Sequence, residues 1–243
     1  MSEPSDIAAA RAAILERIDR AAGRVGRDSD TIEVVAVTKT VSPERIREAI
    51  AAGFMTLGEN RVQERQAKVG EVDAVSTYPV GEQPRWHLVG PLQSNKARRA
   101  VELFDVIETV DSLELAQRLD RIAAELRPGQ RLPVLLQVNV DADAAKAGFA
   151  PADLDRDLGE ILALPALSVE GLMTVGRLVP EPGLARPTFI ALRDLSERLR
   201  ARHSTLGGTL SMGMTDDFEV AVEEGATLVH IGRAIFGARP TVG

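Results

Sequence analysis

The chain has 243 residues, of which 44% are hydrophobic, and a formal net charge of −7 from 29 Lys and Arg against 36 Asp and Glu. This length fits one large domain or two small ones, and α/β barrels reach it as a single unit. An acidic balance without a run of basic residues argues against nucleic acid or an anionic membrane as the main partner. Cysteine is absent, which excludes disulfides, thiolate chemistry and Cys-ligated metals.

The amino-terminal region predicts a packing element rather than a targeting signal. Residues 1–27 lack the apolar core of a signal peptide, and no apolar run is long enough to span a bilayer, so we expect a cytoplasmic protein with no membrane role. An Ala-rich amphipathic helix is predicted over 7–25. Its apolar face is formed by Ile14, Leu15, Ile18 and Ala22, a pattern typical of a helix that packs on a core.

Segment 31–43 carries the first chemical signal of the chain. It reads T-I-E-V-V-A-V-T-K-T-V-S-P and predicts a buried strand over 32–37 that leads to Lys39. Ser42 and Pro43 suit the N-cap and first position of a following helix. A lysine at the end of a buried strand loses hydration, which lowers its pKa, and a neutral amine can form a Schiff base with an aldehyde. The alternative is an ordinary lysine that reaches into solvent.

Lysine is rare in this chain, so the presence of a lysine at a position is a weak functional signal. Only four of the 29 basic residues are lysines, namely Lys39, Lys68, Lys96 and Lys146, and nucleotide bias is one explanation for the ratio. Arginine can be neither deprotonated nor converted to an imine, so a lysine can mark a position where arginine does not serve. Lys68 stands next to polar helix residues, and we expect it to be solvated.

Strand and helix patterns alternate along the whole chain, interrupted by an irregular insertion at 71–84. Strands are predicted at 32–37, 54–58, 85–89, 105–110, 133–140, 168–175, 209–212 and 227–231. Helices are predicted at 43–52, 60–69, 112–126, 185–202 and 215–224, and from 94, 151 and 233 onward. Eight strand–helix units without a linker favour an α/β fold of one (β/α)8 TIM barrel with an extra amino-terminal helix. The expected single domain is 1–243, with the helix and lead-in at 1–30 and the barrel at 31–237. A doubly wound open sheet is the alternative, but strand one lacks the G-x-G-x-x-G turn of a dinucleotide fold.

Polar side chains recur where the predicted strands end, which is where barrel enzymes place their sites. Besides Lys39, the candidates on strands two to six are Asn60, His87, Asn139 and Met173. Ser211 and Thr215 follow strand seven, and Gly232 and Arg233 follow strand eight.

Two helix starts that converge after strands seven and eight form a suitable anion site. The carboxylates of Asp216 and Asp217 would oppose a phosphate there, so we expect both to point outward, and a plain N-cap is the alternative at Thr215. A nucleophilic lysine beside a phosphate site calls for a ligand with an aldehyde and a phosphate. Pyridoxal 5′-phosphate meets that description.

With these residues assembled, the chain resembles the pyridoxal phosphate homeostasis protein family, which are alanine-racemase-like barrels without a second domain. Eight segments carry the resemblance: V-A-V-T-K-T (35–40), G-E-N-R-V-Q-E (58–64), W-H-L-V-G-P-L-Q-S-N-K (86–96), Q-V-N-V (137–140), K-A-G (146–148), G-L-M-T-V (171–175), L-S-M-G-M-T-D-D (210–217) and H-I-G-R-A-I-F-G (230–237). The resemblance implies a pyridoxal-phosphate barrel of fold type III.

The resemblance also implies roles for individual residues. Lys39 would carry the cofactor as a Schiff base, Asn60 and His87 would line its pocket, and Met173 would lie against the ring. The phosphate would be held by Ser211, Thr215, Gly232 and Arg233. Relatives carry a lysine implicated in cofactor handling at the position of Lys146, for which a solvated loop lysine is the equal alternative. Relatives usually read R-I-G in strand eight and face the pyridine nitrogen with that arginine, whereas this chain has His230. Whether His230, Arg233 or neither takes that part stays open.

Three functions are consistent with such a site. The first is a cofactor-binding protein that buffers or delivers pyridoxal 5′-phosphate to apo-enzymes, without dedicated turnover. An amino-acid racemase is the second, with weak activity at most, because two-base racemisation needs a second acid–base group. The one tyrosine of the chain, Tyr78, lies in the irregular insertion. The third is a cofactor-free lysine aldolase, which would not explain the family resemblance. We expect a monomer or a weak homodimer.

Overall fold

A computed structural model describes residues 6–72, 83–176 and 179–237 of the chain. Eight parallel strands close into a barrel in which each strand pairs with its neighbours in sequence, and β1 closes on β8 through partners from Glu33↔Leu228 to Ala36↔Ile231. The strands are β1 (Glu33–Val37), β2 (Thr56–Glu59), β3 (Arg85–Leu88), β4 (Val106–Val110), β5 (Leu132–Gln137), β6 (Leu167–Met173), β7 (Thr209–Met214) and β8 (Leu228–Ile231). The predicted (β/α)8 barrel is confirmed, and the open-sheet alternative is wrong.

Helices surround the barrel and follow its strands. They are α1 (Asp6–Arg24), α2 (Pro43–Ala51), α3 (Val62–Val72), α4 (Ala97–Leu103), α5 (Leu113–Leu126), α6 (Pro151–Leu162), α7 (Arg186–Arg200), α8 (Phe218–Glu223) and α9 (Arg233–Phe236). Short 3-10 turns lie at Ser29–Thr31, Ser94–Lys96 and Pro182–Ala185. Over these described parts of the chain, every helix is too short or too polar to cross a membrane.

Local sequence signals set the helix that follows β1. The Ser42 side chain accepts a hydrogen bond from the Arg45 N–H at 3.5 Å, and Pro43 takes the first helical position, as expected. Gly53 follows the end of α2 with a φ of 94°, a left-handed conformation that costs glycine little. The chain therefore leaves Lys39 and enters α2 within a few residues.

Side chains of β1 alternate between the two faces of the barrel wall. Val35 and Val37 belong to a small apolar cluster inside the barrel, whereas Ala36 belongs to the large core between barrel and helices. Because side chains alternate along a strand, the same periodicity directs Lys39 toward the barrel side and Thr38 toward the helices. This alternation separates the two polar environments described below.

Helix α1 packs on the outside of the barrel against α8 and α9. Its buried face consists of Ile7, Ile14, Ile18, Ala21 and Ala22. Leu15 is 37% exposed, so its predicted place on that face is wrong. An ion pair between Arg17 and Glu219, with an N–O distance of 3.3 Å, joins α1 to α8.

The structure moves several predicted boundaries. Helix α3 continues through Glu71 and Val72, which belong to the predicted irregular insertion, and residues 73–82 with Tyr78 lie outside the described residues. The helix predicted from 215 begins at Phe218, because Asp217 closes a turn in which its N–H donates to the Met214 carbonyl at 3.0 Å.

Candidate functional site at the carboxyl rim of the barrel

Lys39 stands on a tight turn at the carboxyl end of β1. The Val41 N–H donates to the Thr38 carbonyl at 3.0 Å and closes the turn. Thr40 has a φ of 62°, the left-handed conformation that the third residue of a type II turn requires and that a β-branched side chain rarely adopts. Lys39 itself is half-buried. Its backbone is therefore held in a strained turn, a feature that concentrates at functional sites.

Lys39 lines a small cavity between the ends of β1 and β8. The cavity has a volume of about 250 Å³, somewhat below the roughly 300 Å³ at which small-molecule sites usually begin. Its lining comprises Val37, Lys39, Thr40, Val41, Ser42, Arg45, Gly232, Arg233, Phe236 and Gly237. Three of these described lining residues are cationic and none is acidic, although carboxylates outside the lining pair with Arg45 and Arg233.

Helix α9 begins at this cavity. Gly232 is its N-cap and Arg233 its first residue, and the first N–H groups of any helix have no partner within the helix. Such groups bind negative oxygens well. The structure therefore brings Lys39, Gly232 and Arg233 together, as the sequence predicts.

Asp216 and Asp217 differ in orientation. Asp216 is exposed and pairs with the guanidinium of Arg233, which lines the cavity. Asp217 is 6% exposed and accepts a hydrogen bond from the Met214 N–H at 2.7 Å, so its predicted outward direction is wrong. Burial raises the pKa of Asp217.

A polar layer crosses the interior of the barrel at Glu108, which is fully buried on β4. Its Oε1 lies 2.6 Å from Nδ1 of His87, and its Oε2 lies 2.9 Å from Nε2 of His230. The Ser211 hydroxyl donates to Oε2 at 2.6 Å. Burial works to raise the pKa of Glu108, but the charge and hydrogen bonds of His230 and His87 outweigh it and hold that pKa well below its usual range.

Three of the predicted site residues, His87, Ser211 and His230, contact Glu108 in this layer. Ser211, predicted to hold the phosphate with Gly232, directs its hydroxyl to Glu108 inside the barrel. His87 is 2% exposed, and its Nε2 has no hydrogen-bond partner among the described residues. A buried imidazole nitrogen of this kind is suited to a water or a polar ligand atom.

Lys68 is buried, so its predicted solvation is wrong. It is 9% exposed, and its Nζ lies 2.6 Å from Oε1 of Glu59. The same ammonium donates to the Thr38 carbonyl at 2.8 Å, and the Thr38 hydroxyl donates to Glu59 Oε1 at 2.7 Å. A buried carboxylate needs a partner, and Lys68 supplies it from α3.

Glu59 is strongly perturbed by this environment. It is fully buried at the end of β2, and its Oε2 has no hydrogen-bond partner in the described part of the chain. Burial raises the pKa of Glu59 to about 7, against the opposing effect of the nearby Lys68 ammonium.

The remaining predicted residues lie apart from the Lys39 cavity. Met173 is 1% exposed, in the apolar cluster inside the barrel. The side-chain amide of Asn139 binds the following loop, because Nδ2 donates to the Asp143 carbonyl at 2.7 Å. Thr215 is half-buried in the turn before α8. Asn60 lines a separate groove of about 870 Å³ together with Lys96.

Lys146 is neither free in solvent nor in the cavity. Its Nζ donates to the Val175 carbonyl at 3.0 Å and lies 3.4 Å from Oδ2 of Asp141. These contacts join the loop after β5 to the end of β6.

The sequence prediction gave no site role to Glu59, Lys68 or Glu108 and expected Lys68 to be solvated, although the sequence contains a signal for each. Glu59 and Glu108 are charged residues within buried strands, which require a partner. Lys68 shares helical spacing with the buried residues Val62, Arg65 and Val72.

Comparison with known proteins places this geometry in a family. The model of the alanine racemase N-terminal domain family matches residues 10–240. A pyridoxal phosphate homeostasis protein of Pseudomonas aeruginosa is 42% identical over 238 residues, which cover 97% of this chain and 96% of that protein. The protein of the same name from Escherichia coli K12 is 39% identical over 240 residues, which cover 97% of each chain.

Solved structures agree with this assignment. The structure of PipY from Synechococcus elongatus PCC7942 with PLP bound is 38% identical, with a TM-score of 0.77, and covers 91% of this chain and 100% of that one. An alanine racemase of Clostridium difficile 630 is 15% identical with a TM-score of 0.67, over 94% of this chain and 60% of that one, and shares the fold alone. The chain therefore belongs to the pyridoxal phosphate homeostasis protein family, among the alanine racemase N-terminal domain barrels.

Proposed function

We propose that this protein binds pyridoxal 5′-phosphate through a Schiff base on Lys39 and serves to buffer or deliver that cofactor, without a dedicated catalytic turnover. The observation that carries the proposal is the shared cavity of Lys39, Gly232 and Arg233. An amine and the start of a helix lie at one opening, and the ligand bears an aldehyde and a phosphate. The family membership of the chain supports the same ligand.

The residues of the cavity fit the chemistry of the group. Lys39 Nζ would attack the aldehyde carbon, a C=N bond would replace the C=O bond, and the oxygen would leave as water. The N–H groups at Gly232 and Arg233 suit the phosphate oxygens, and the described lining contains no carboxylate that would repel them. The lowered pKa expected for Lys39 stays a prediction.

The proposed contact residues differ in their support. For Lys39, Gly232 and Arg233 the support is their common cavity. For His87, Met173, Ser211 and His230 it is their position inside the same barrel. For Asn60, Asn139 and Thr215 the proposal depends on the family likeness alone. His230 would have to use its Nδ1 edge, because Nε2 already faces Glu108.

Delivery to another protein is tested by transfer to an apo-enzyme. The loaded protein is mixed with an apo-aminotransferase and an excess of a trap for free pyridoxal 5′-phosphate, with free cofactor plus trap as the control. We expect aminotransferase activity to return from the loaded protein and not from the control. Recovery no faster than in the control would overturn delivery.

Racemisation of alanine or serine at ordinary enzymatic rates would overturn the non-catalytic assignment. The cytoplasmic location and the monomeric or weakly dimeric state stay predictions.

A further inference from the structure

The backbone is strained at Thr40, directly after Lys39, and tightly held at Thr38, directly before it. Thr40 adopts a φ of 62°, a left-handed conformation that is unfavourable for an L residue. A β-branched residue persists in this region only where its surroundings over-determine the conformation. The restraint must therefore come from neighbouring residues of the turn.

Thr38 supplies that restraint because each of its polar groups is bound. Its N–H donates to the Gly58 carbonyl at 2.8 Å, and its hydroxyl donates to Glu59 at 2.7 Å. Its carbonyl accepts from the Val41 N–H at 3.0 Å and from the Lys68 ammonium at 2.8 Å. The carbonyl that closes the Lys39 turn is thus also the one that Lys68 holds.

Lys68 is well placed to act as a fixed anchor. It is buried on α3 with 9% of its surface exposed, and its Nζ lies 2.6 Å from Oε1 of Glu59. A charge-assisted hydrogen bond is stronger than a neutral one, and the low local dielectric strengthens it further. The ammonium therefore has little freedom to leave the Thr38 carbonyl.

We propose that Lys68 is a positioning residue for Lys39, which it serves by holding the Thr38 carbonyl in the strained turn from which Lys39 reaches the cavity. This inference rests on the proposed function, since it concerns the approach of the Lys39 amine to an aldehyde. Lys68 itself does not touch the ligand.

The test measures the rate at which Lys39 is labelled by pyridoxal 5′-phosphate, with borohydride quenching and intact-mass detection. Removal of the anchor in Lys68→Met should slow labelling about 10- to 100-fold, the scale of a misplacement near 1 Å. Lys96→Met is the matched control: Lys96 is a half-buried rim lysine in a separate groove, and its loss should leave the rate unchanged.

A double-mutant cycle separates positioning from general damage. Affinity for pyridoxal 5′-phosphate is measured by calorimetry in the unmodified protein, Lys68→Met, Lys39→Ala and Lys39→Ala/Lys68→Met. If Lys68 acts through Lys39, the second substitution costs nothing further once Lys39 is absent. An equal loss of affinity from Lys68→Met in both backgrounds would overturn the proposal.

A rescue variant adds a readout that a merely structural role would not change. Glycine adopts positive φ without penalty, so Thr40→Gly should preserve the turn without its anchor and restore most of the labelling rate to Lys68→Met. No recovery would contradict the proposal. If Lys68→Met does not fold, Lys68→Met/Glu59→Gln replaces it, because that pair leaves no buried charge unpaired.

The outcomes also distinguish this inference from the function on which it rests. Labelling of the unmodified protein at Lys39 together with a normal rate in Lys68→Met overturns the inference alone. Absence of any label on the unmodified protein overturns the proposed function, and the inference with it.

Discussion

Glu108 and His230 form a part-buried pair across the barrel interior, with Oε2 of the carboxylate 2.9 Å from Nε2 of the imidazole. His230 on β8 thus faces a fully buried acid on β4. A buried carboxylate costs free energy unless it is paired and hydrogen-bonded. The pairing offsets the cost of burying Glu108 and so stabilises the barrel. It also makes the barrel interior polar.

Glu108→Gln should make stability less dependent on pH. The folded-state pKa of Glu108 is held below its ordinary value of 4.5, so its contribution is present above pH 4.5 and is lost as the pH falls further. We expect the variant to lose about 3 kcal/mol at pH 7, the scale for removing one partner of a buried pair, and less at pH 3. Urea unfolding at several pH values measures the difference.

Glu125→Gln is the control for this prediction. Glu125 forms an exposed ion pair with Arg98, and such pairs contribute about 1 kcal/mol or less. If Glu108→Gln and Glu125→Gln showed the same small and pH-independent loss, the buried network would carry no special stability.

Gly90→Ala should destabilise the rim beside Asn60. A Cβ at position 90 would overlap the Asn60 carbonyl oxygen and lie 2.8 Å from its Cα, and a backbone contact of this kind cannot rotate away. We expect a loss of about 1–3 kcal/mol in the free energy of unfolding. Thermal and urea unfolding would measure it.

Gly159→Ala provides the opposite case on the same barrel. Gly159 lies on α6, and a Cβ there meets no heavy atom within 4 Å. Alanine should stabilise that helix by about 0.5–1 kcal/mol. Equal effects of the two substitutions would show that the close approach at Gly90 carries no cost.

Hydrophobic periodicity and turn residues are sufficient to predict the barrel, because each strand and helix signal is local. The valines of β1 and the Ser42–Pro43 cap predict their elements from adjacent residues alone. The buried polar pairs could not be derived in this way, since Glu59 meets Lys68 and Glu108 meets His230 only after the strands and helices assemble. Lys68 looked solvated beside polar neighbours, and only its spacing with the buried face of α3 indicated otherwise.

Asp216→Asn should tighten phosphate binding at the Lys39 cavity. The substitution removes the carboxylate that pairs with Arg233 and leaves the guanidinium available to an anion. Because both groups are more than half exposed, the gain in affinity for pyridoxal 5′-phosphate should be modest, about two- to fivefold. Calorimetry in the Lys39→Ala background isolates this reversible step.

Asp194→Asn is the matched control for Asp216→Asn. It removes a carboxylate from an ion pair with Arg193 on α7 and should leave the affinity unchanged. Weaker binding in Asp216→Asn would show that Arg233 does not face the phosphate.

Peptide mapping shows which of the four lysines carries the cofactor. The protein is incubated with pyridoxal 5′-phosphate, reduced with borohydride, digested and analysed by mass spectrometry, beside Lys39→Arg, which retains the charge but cannot form an imine. We expect a label on Lys39 alone and none in Lys39→Arg, which still binds the cofactor reversibly. A label on Lys68, Lys96 or Lys146 in place of Lys39, or a label retained in Lys39→Arg, would contradict this expectation.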